Sequence, residues 1–323
     1  MSTAIGPGRD LVGYGRTPPQ GEWPGGARVA LNVVVNVEEG SERSIGDGDD
    51  RNEGLGEVPR VLDPHYRDLG TESVYEYGSR AGIFRLLRLF DRLGVRTTAF
   101  AAARALERNP DAASWLVESG HEICAHGYRW AEAWTMSREQ EAEAIAAAVA
   151  SIAATCGQRP LGWYSRWMPS VHTRELLVAD GGFLYDADAY NDDIPYYTPV
   201  AGQWHLVVPY SMTYNDSFYH YGHLGGPSDF VDYCVRALDF LATEDDGAPR
   251  VMSVGLHPRL SGQAARSSAL AEFLARAADR DDVWVTTRVE IARYWREHFP
   301  PPATEPEQTV EPEWTRRTEA GEV

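Results

Sequence analysis

The sequence predicts one α/β domain built as a closed or nearly closed barrel of parallel strands with helices outside. Three observations predict it. Val29–Val37 reads VALNVVVNV, an apolar run without polar alternation, as a strand covered on both faces does. About eight such strand candidates alternate with helical stretches, the pattern that lays helices against a parallel sheet. The 323 residues contain no repeat of solenoid length and no clear second core, so they read as one unit.

The elements follow in order. Residues 1–28 are rich in Gly and Pro and form an irregular N-terminal arm. Val29–Val37 is the first strand, and it stops on Glu38, Glu39 and Gly40. Residues 40–71 are acidic and Gly-rich. A loop of that length inside a compact domain points to a functional lid or to disorder. Asp47 and Asp49 have calcium-loop spacing, but Arg51 and Asn52 stand where the next oxygen ligand and the turn glycine belong, so a solvated lid is expected instead. Ser79–Leu93 predicts an amphipathic helix, with Ile83, Leu86, Leu87 and Phe90 on one face and Gly94 ending it. Strands are expected at Arg96–Ala102, His121–Ala125, Leu161–Tyr164, Phe183–Tyr185, His205–Pro209, Val251–Leu256 and Val283–Thr287. Between them lie helices opened by Asn109-Pro110 and capped by Ser137, then Thr173–Asp180, Ser228–Glu244, Gln263–Ala278 and Val289–His298. The barrel therefore spans 29–299, and the Pro- and Glu-rich stretch 300–323 reads as a mobile tail.

Composition excludes several classes of function. A formal net charge of −18 disfavours nucleic acid and anionic membrane as partners. Cys124, Cys156 and Cys234 are too few and too scattered for a disulfide framework or a zinc finger. With no signal peptide and no apolar run of membrane length, a cytoplasmic location is expected. All 30 Lys-plus-Arg residues are arginine, which removes the P-loop, the Schiff-base lysine and the carboxylated-lysine metal bridge from consideration.

The chemistry is expected where the strands end. In a parallel barrel the C-terminal strand ends converge on one rim, and polar residues follow each predicted strand. They are Glu38 and Glu39 after the first, His126 after the third, Trp163, Tyr164 and Arg166 around the end of the fourth, and Asp188 after the fifth. Tyr210, Asn215 and Asp216 follow the sixth, and His257 and Arg259 the seventh. Loops are polar in general, so turn chemistry and caps account for part of this set. His126 and His257 each end an apolar strand directly before Gly or Pro, which carries their rings to the rim. Such a rim suits hydrolysis of a C–N bond: a carboxylate takes a proton from water, an imidazolium gives one to the departing nitrogen, and an arginine or a metal holds the oxyanion.

The arrangement resembles the polysaccharide deacetylase family, with its distorted or incomplete (β/α) barrel, and within it the cofactor-independent, allantoinase-like branch. The stretches that carry the resemblance include ALNVVVNVEEG, ESVYEYGSRAGIFRLL, GHEICAHGYRW, RPLGWYS, GGFLYDADAYNDDIPYY and MSVGLHPRLSGQAAR. The resemblance implies Glu38 as general base, Glu39 and His126 as groups that position water or substrate, and His257 as the acid. Trp163, Tyr164, Arg166, Asp188, Tyr210, Asn215, Asp216 and Arg259 are then the expected substrate contacts. It also implies a small-molecule substrate and a homo-oligomer. In the metal-dependent members two aspartates end the first strand and two histidines spaced H-x-x-x-H complete the metal site. Here glutamates replace the aspartates, and Trp130 stands at the second histidine's position. No cofactor is therefore expected; were zinc or another divalent metal bound, its candidate ligands would be Glu39, His126, His220 and His223.

Three functions remain open on the sequence. One is hydrolysis of a small amide, ureide or cyclic amide. Another is metal-dependent N-deacetylation of a sugar or peptidoglycan fragment. The third is a non-catalytic ligand-binding or scaffold role.

Overall fold

The first strand, β1 (Val29–Val37), is buried at every residue and organises the sheet around it. The computed structural model of the chain describes residues 6–54, 58, 62–63, 65–219, 225–304 and 306. Among these the remaining strands are β2 (Thr98–Ala101), β3 (Glu122–Ala125), β4 (Gly162–Trp163), β5 (Tyr185–Asp186), β6 (Tyr196–Val200), β7 (Gln203–Val207), β8 (Arg250–Leu256) and β9 (Val283–Thr286). Their order is β6-β7-β5-β4-β3-β2-β1-β8, and every pair is parallel except β6 with β7. Strand β8 runs beside Val29–Val35 on one side of β1. The other side is shared: β9 takes Val29–Asn32 and β2 takes Val34–Val37. The sheet is an open, curled half-barrel, the distorted or incomplete (β/α) barrel that the family resemblance implies.

The helices are α1 (Leu69–Tyr77), α2 (Ile83–Leu93), α3 (Ala103–Arg108), α4 (Pro110–Glu118), α5 (Arg138–Cys156), α6 (Thr173–Asp180), α7 (Pro227–Thr243), α8 (Pro258–Ser261), α9 (Ala264–Ala278) and α10 (Arg288–His298). Local chemistry sets several ends. Asn109 caps α4 with Pro110 in its first turn, and Ser137 with Gln140 forms a reciprocal capping box on α5. Two differences from the sequence reading concern the site. The helix expected at Ser79–Leu93 starts earlier, at Leu69, and passes through one π-helical turn at Gly78–Gly82. Gly82 lies so close to the Pro258 carbonyl that a Cβ would meet it at 2.1 Å, a backbone contact between distant segments that periodicity does not reveal. The short helices α3 and α8 and the antiparallel β6 were also not foreseen. Strand β6 contains Pro199, which belongs at a sheet edge, and it is only partly buried.

Successive side chains of a strand point to opposite faces, and this parity sorts the core. Val29, Leu31, Val33, Val35 and Val37 pack against the helices with Met252, Val254 and Leu256 of β8. Ala30 and Val34 face the barrel interior with Phe100, Cys124, Tyr164, Tyr185 and Tyr210. Cys124, Cys156 and Cys234 are buried and unpaired. The arm packs onto the barrel through Trp23, whose indole N–H donates to the Arg250 carbonyl at 2.7 Å.

The interior also holds a buried polar network. Glu122 accepts from Thr98 Oγ1 at 2.8 Å, from Tyr185 OH at 2.7 Å and from the Val289 backbone at 2.9 Å. Arg288 is fully buried and spans the open side of the sheet. It donates to Ser253 Oγ at 2.7 Å on β8, and to the Pro209 carbonyl at 2.6 Å and the Val208 carbonyl beyond β7. Asn215 adds a single parallel bridge to Gly255. A half-barrel is thus joined across its gap by one arginine and a few backbone bonds. Replacing Arg288 with Ala leaves the Val208 and Pro209 carbonyls and Ser253 without their buried donor, and should cost about 3–5 kcal/mol. Chemical denaturation measures this; an unchanged midpoint would refute the bracing role.

Candidate active site

Strand parity delivers the cluster. Glu38 continues the inward row of Asn32, Val34 and Asn36, His126 that of Cys124, and His257 that of Val251, Ser253 and Gly255. These three side chains meet at the C-terminal rim. Glu38 Oε1 lies 3.5 Å from His126 Nε2 and 3.6 Å from His257 Nε2. Glu38 Oε2 accepts from Arg259 Nη1 at 3.0 Å. Glu39 has the opposite parity and turns toward the π-helical turn, where a Cβ on Gly78 would stand 2.5 Å from its Oε1. It accepts from the backbone N–H of Glu38 at 3.3 Å and of Arg259 at 3.2 Å.

Each imidazole is oriented from behind. His257 Nδ1 lies 2.6 Å from Asp216 Oδ1, and its backbone N–H donates to Asp216 Oδ2 at 2.8 Å. Ser261 Oγ donates to the same Oδ2 at 2.6 Å. His126 Nδ1 lies 2.7 Å from the Tyr164 carbonyl, which can only accept, so the Nδ1 proton is fixed there and Nε2 faces Glu38. The His126 ring also stacks on Tyr164 at a centroid distance of 5.0 Å.

These surroundings drive the titrations apart. Burial alone would raise Glu38, but His257, His126 and Arg259 outweigh it and hold the carboxyl well below its usual range. Burial pushes Glu39 up to about 7; Arg259 opposes the rise and the Glu38 charge adds to it. Burial would lower His257, yet Glu38 and Asp216 on either side carry it up to about 10. One acid is thus kept ionised, its neighbour is poised near neutrality, and an imidazolium stands between two carboxylates, which is the separation acid–base catalysis uses.

The other expected site residues divide. Tyr164, Tyr210 and Asn215 line the interior wall, with Asn215 Nδ2 donating to Tyr210 OH at 2.9 Å. Asp216 joins the cluster with its oxygens engaged by His257 and Ser261. Trp163 has the wrong parity: it faces the helices, packs edge-on to Phe183, and borders a cavity of about 180 Å³ against α5. Asp188 holds the Ser165 backbone and hydroxyl at 2.6 and 2.7 Å. Arg166 donates to the Trp130 carbonyl at 2.7 Å and to Glu53 at 2.8 Å, with its guanidinium 3.6 Å from the Trp130 ring centroid. Tyr75, Ser261 and Glu53 were missed. Tyr75 lies within the ESVYEYGSR stretch, but nothing in its spacing marks a ring that comes to lie 4.5 Å from the Arg259 guanidinium.

The described part of the acidic loop is tied to side chains of neighbouring loops and helices. Besides Glu53 on Arg166, Asp49 meets Arg129 at 2.6 Å, Asp47 meets Arg108 at 2.8 Å, and Arg43 meets Glu132 at 2.9 Å. Asp47 and Asp49 thus face arginines rather than a shared cation position. None of Glu38, Glu39, His126, His257 and Arg259 is more than 8% exposed.

The described donors do not by themselves make up a metal site. Among the described residues no group of three or more His, Cys, Asp or Glu side chains is placed to hold one. Trp130 contributes an indole where a second histidine would be needed, and a cation already lies against both glutamates. His220 and His223 lie outside the described residues.

Acids and imidazoles thus converge on the C-terminal rim of a half-barrel. The family profile described as Polysaccharide deacetylase matches residues 72–168. A polysaccharide deacetylase-family protein of Schizosaccharomyces pombe is 35% identical over 315 residues, covering 90% of this chain and 98% of that one. The chain belongs to the polysaccharide deacetylase family, and this supports its being a carbon–nitrogen hydrolase. Two crystal structures, one of a family protein from Pseudomonas aeruginosa PAO1 and one of PuuE allantoinase, each superpose with a TM-score of 0.86 at 44% identity, covering 91% of this chain and 99% of theirs.

The Glu53–Arg166 pair generates a prediction. Arg166→Met should free Glu53 and loosen the 40–54 segment, so that trypsin cleaves at Arg43 and Arg51 about tenfold faster than in wild type. Equal cleavage rates would mean that this pair does not hold the loop.

Proposed function

We propose that the protein hydrolyses a C–N bond in a small amide, ureide or cyclic amide, in the manner of an allantoinase. The observation that carries the reading is the placement of Glu38 Oε1 between two imidazoles, one of them backed by a buried aspartate. The 44% identity with PuuE allantoinase over nearly the whole of that chain supports it. The near-complete burial of Glu38, His126, His257 and Arg259 favours a small substrate over a polymer.

In this reading, water lies over Glu38 with His126 Nε2 bordering the same space, while Glu39, turned toward Gly78, acts behind it by holding the Arg259 backbone. Glu38 takes a proton as the water oxygen bonds to the substrate carbonyl carbon, and the carbonyl π electrons move onto oxygen. The tetrahedral intermediate then collapses and the C–N bond breaks. The imidazolium of His257 gives its Nε2 proton to the leaving nitrogen, while Asp216 holds Nδ1–H and fixes the ring. Acid and amine leave, and the proton on Glu38 passes back to His257. Trp163, Arg166 and Asp188 support the walls, and Tyr164, Tyr210 and Asn215 form the floor.

Screening allantoin, hydantoins, cyclic imides and N-acetyl sugars for release of acid, amine or acetate tests the reading. Turnover of a ureide or cyclic amide is expected; turnover of N-acetyl sugars alone would overturn it. Glu38→Gln should lower kcat by at least about a hundredfold, the lower range for loss of a general base. An unchanged rate would reassign the base.

The pH profile follows from signs. Glu38 must be ionised and titrates below its ordinary value, while His257 must be protonated and titrates near 10, so these two groups impose no limb near neutrality and activity falls as pH rises through about 10. Asp216→Asn removes one of the two carboxylates that raise His257, so the alkaline limb should move down toward the ordinary imidazole value of about 6.5. A limb that stays in place would show that Asp216 does not tune the acid.

A further inference from the structure

Arg259 follows His257 by two residues and is carried on the four-residue helix α8, whose close contact with Gly82 and Gly262 fixes its backbone. Its Nη1 lies 3.0 Å from Glu38 Oε2 and 3.6 Å from Glu39 Oε1, and its backbone N–H donates to Glu39. The guanidinium lies over Tyr75 and is 5.8 Å from the Trp130 ring centroid. It is 5% exposed. Two adjacent carboxylates removed from water need a cation between them. The metal-dependent proteins that this sequence resembles meet that need with a divalent ion. In this chain the place of a further imidazole ligand is taken by an indole, and the acid pair is already bridged.

We propose that Arg259 is the resident cation of the site, standing where a divalent ion would and taking over its charge-stabilising task. The idea rests on the hydrolase reading above. When water adds to the carbonyl, its proton moves to Glu38, whose negative charge disappears as an equal charge forms on the substrate oxygen. The hold of Glu38 on the guanidinium weakens at that moment, and an Arg259 N–H follows the charge to the oxyanion. The guanidinium needs no proton bookkeeping, since it stays charged throughout.

The test uses Arg259→Ala and Arg259→Lys, each checked for folding by circular dichroism. Arg259→Ala should lower kcat by about 10²–10³-fold with a much smaller change in KM, and guanidinium in the buffer should restore about tenfold of the loss. Arg259→Lys keeps the charge and should be clearly more active than Arg259→Ala. Independently of turnover, isothermal titration with cobalt(II) should show about tenfold tighter binding to Arg259→Ala than to wild type, because the acid pair has lost its own cation. Wild-type turnover with neither guanidinium rescue nor a cobalt gain overturns the role of Arg259 and leaves the hydrolase reading standing. A cobalt gain with no turnover of any amide supports the cation role and overturns that reading. Should Arg259→Ala not fold, Arg259→Lys decides: near-complete loss of kcat in the folded lysine variant overturns the proposal.

Discussion

Burying negative charge is the constraint that shapes this rim. Glu38 and Glu39 sit side by side with almost no water, and neither can stay ionised there without cations in contact. The chain supplies two, the His257 imidazolium and the Arg259 guanidinium, from one short segment after β8. Asp216 then stands behind His257, so charges alternate from Asp216 through His257 and Glu38 to Arg259. Removing any member leaves its neighbour buried and unmatched. The same alternation holds the groups in different protonation states near neutrality, which is what proton transfer between water, substrate and leaving group requires.

Geometry places these charges by simple means. Parallel strands with a two-residue side-chain period send Glu38, His126 and His257 inward at one level, while Glu39 turns outward into a hollow left by Gly78. The π-helical turn at Gly78–Gly82 and the close approach of Gly82 to Pro258 bring α8 near enough for Arg259 to reach both acids. The polar interior below, with Glu122 and Arg288, joins the two edges of an open sheet, so the rim rests on a brace rather than on a closed ring of strands.

Much of the framework was legible in the sequence because it depends on periodicity and on strand ends. The apolar run Val29–Val37 and its terminal glutamates, the two histidines closing apolar strands, and the capped helices at Asn109 and Ser137 all carry local signals. Strand parity also separates Tyr164, which faces inward, from Trp163, which faces the helices, a distinction that a count of rim residues overlooks. What stayed hidden depends on contacts between distant segments. Asp216 looks like a loop acid until it is seen behind His257. Arg166 looks like a substrate contact until Glu53 and Trp130 are found on it. The edge strand around Pro199 and the short helix α8 are too brief to give a period.

The central claim is that His257 is an imidazolium at working pH because two buried carboxylates flank it. Nitrogen-15 NMR of the histidine rings across neutral and alkaline pH reads this directly. Protonation of both His257 nitrogens up to a midpoint near 10 is the result expected. A ring that titrates at its ordinary value of about 6.5 would contradict the account.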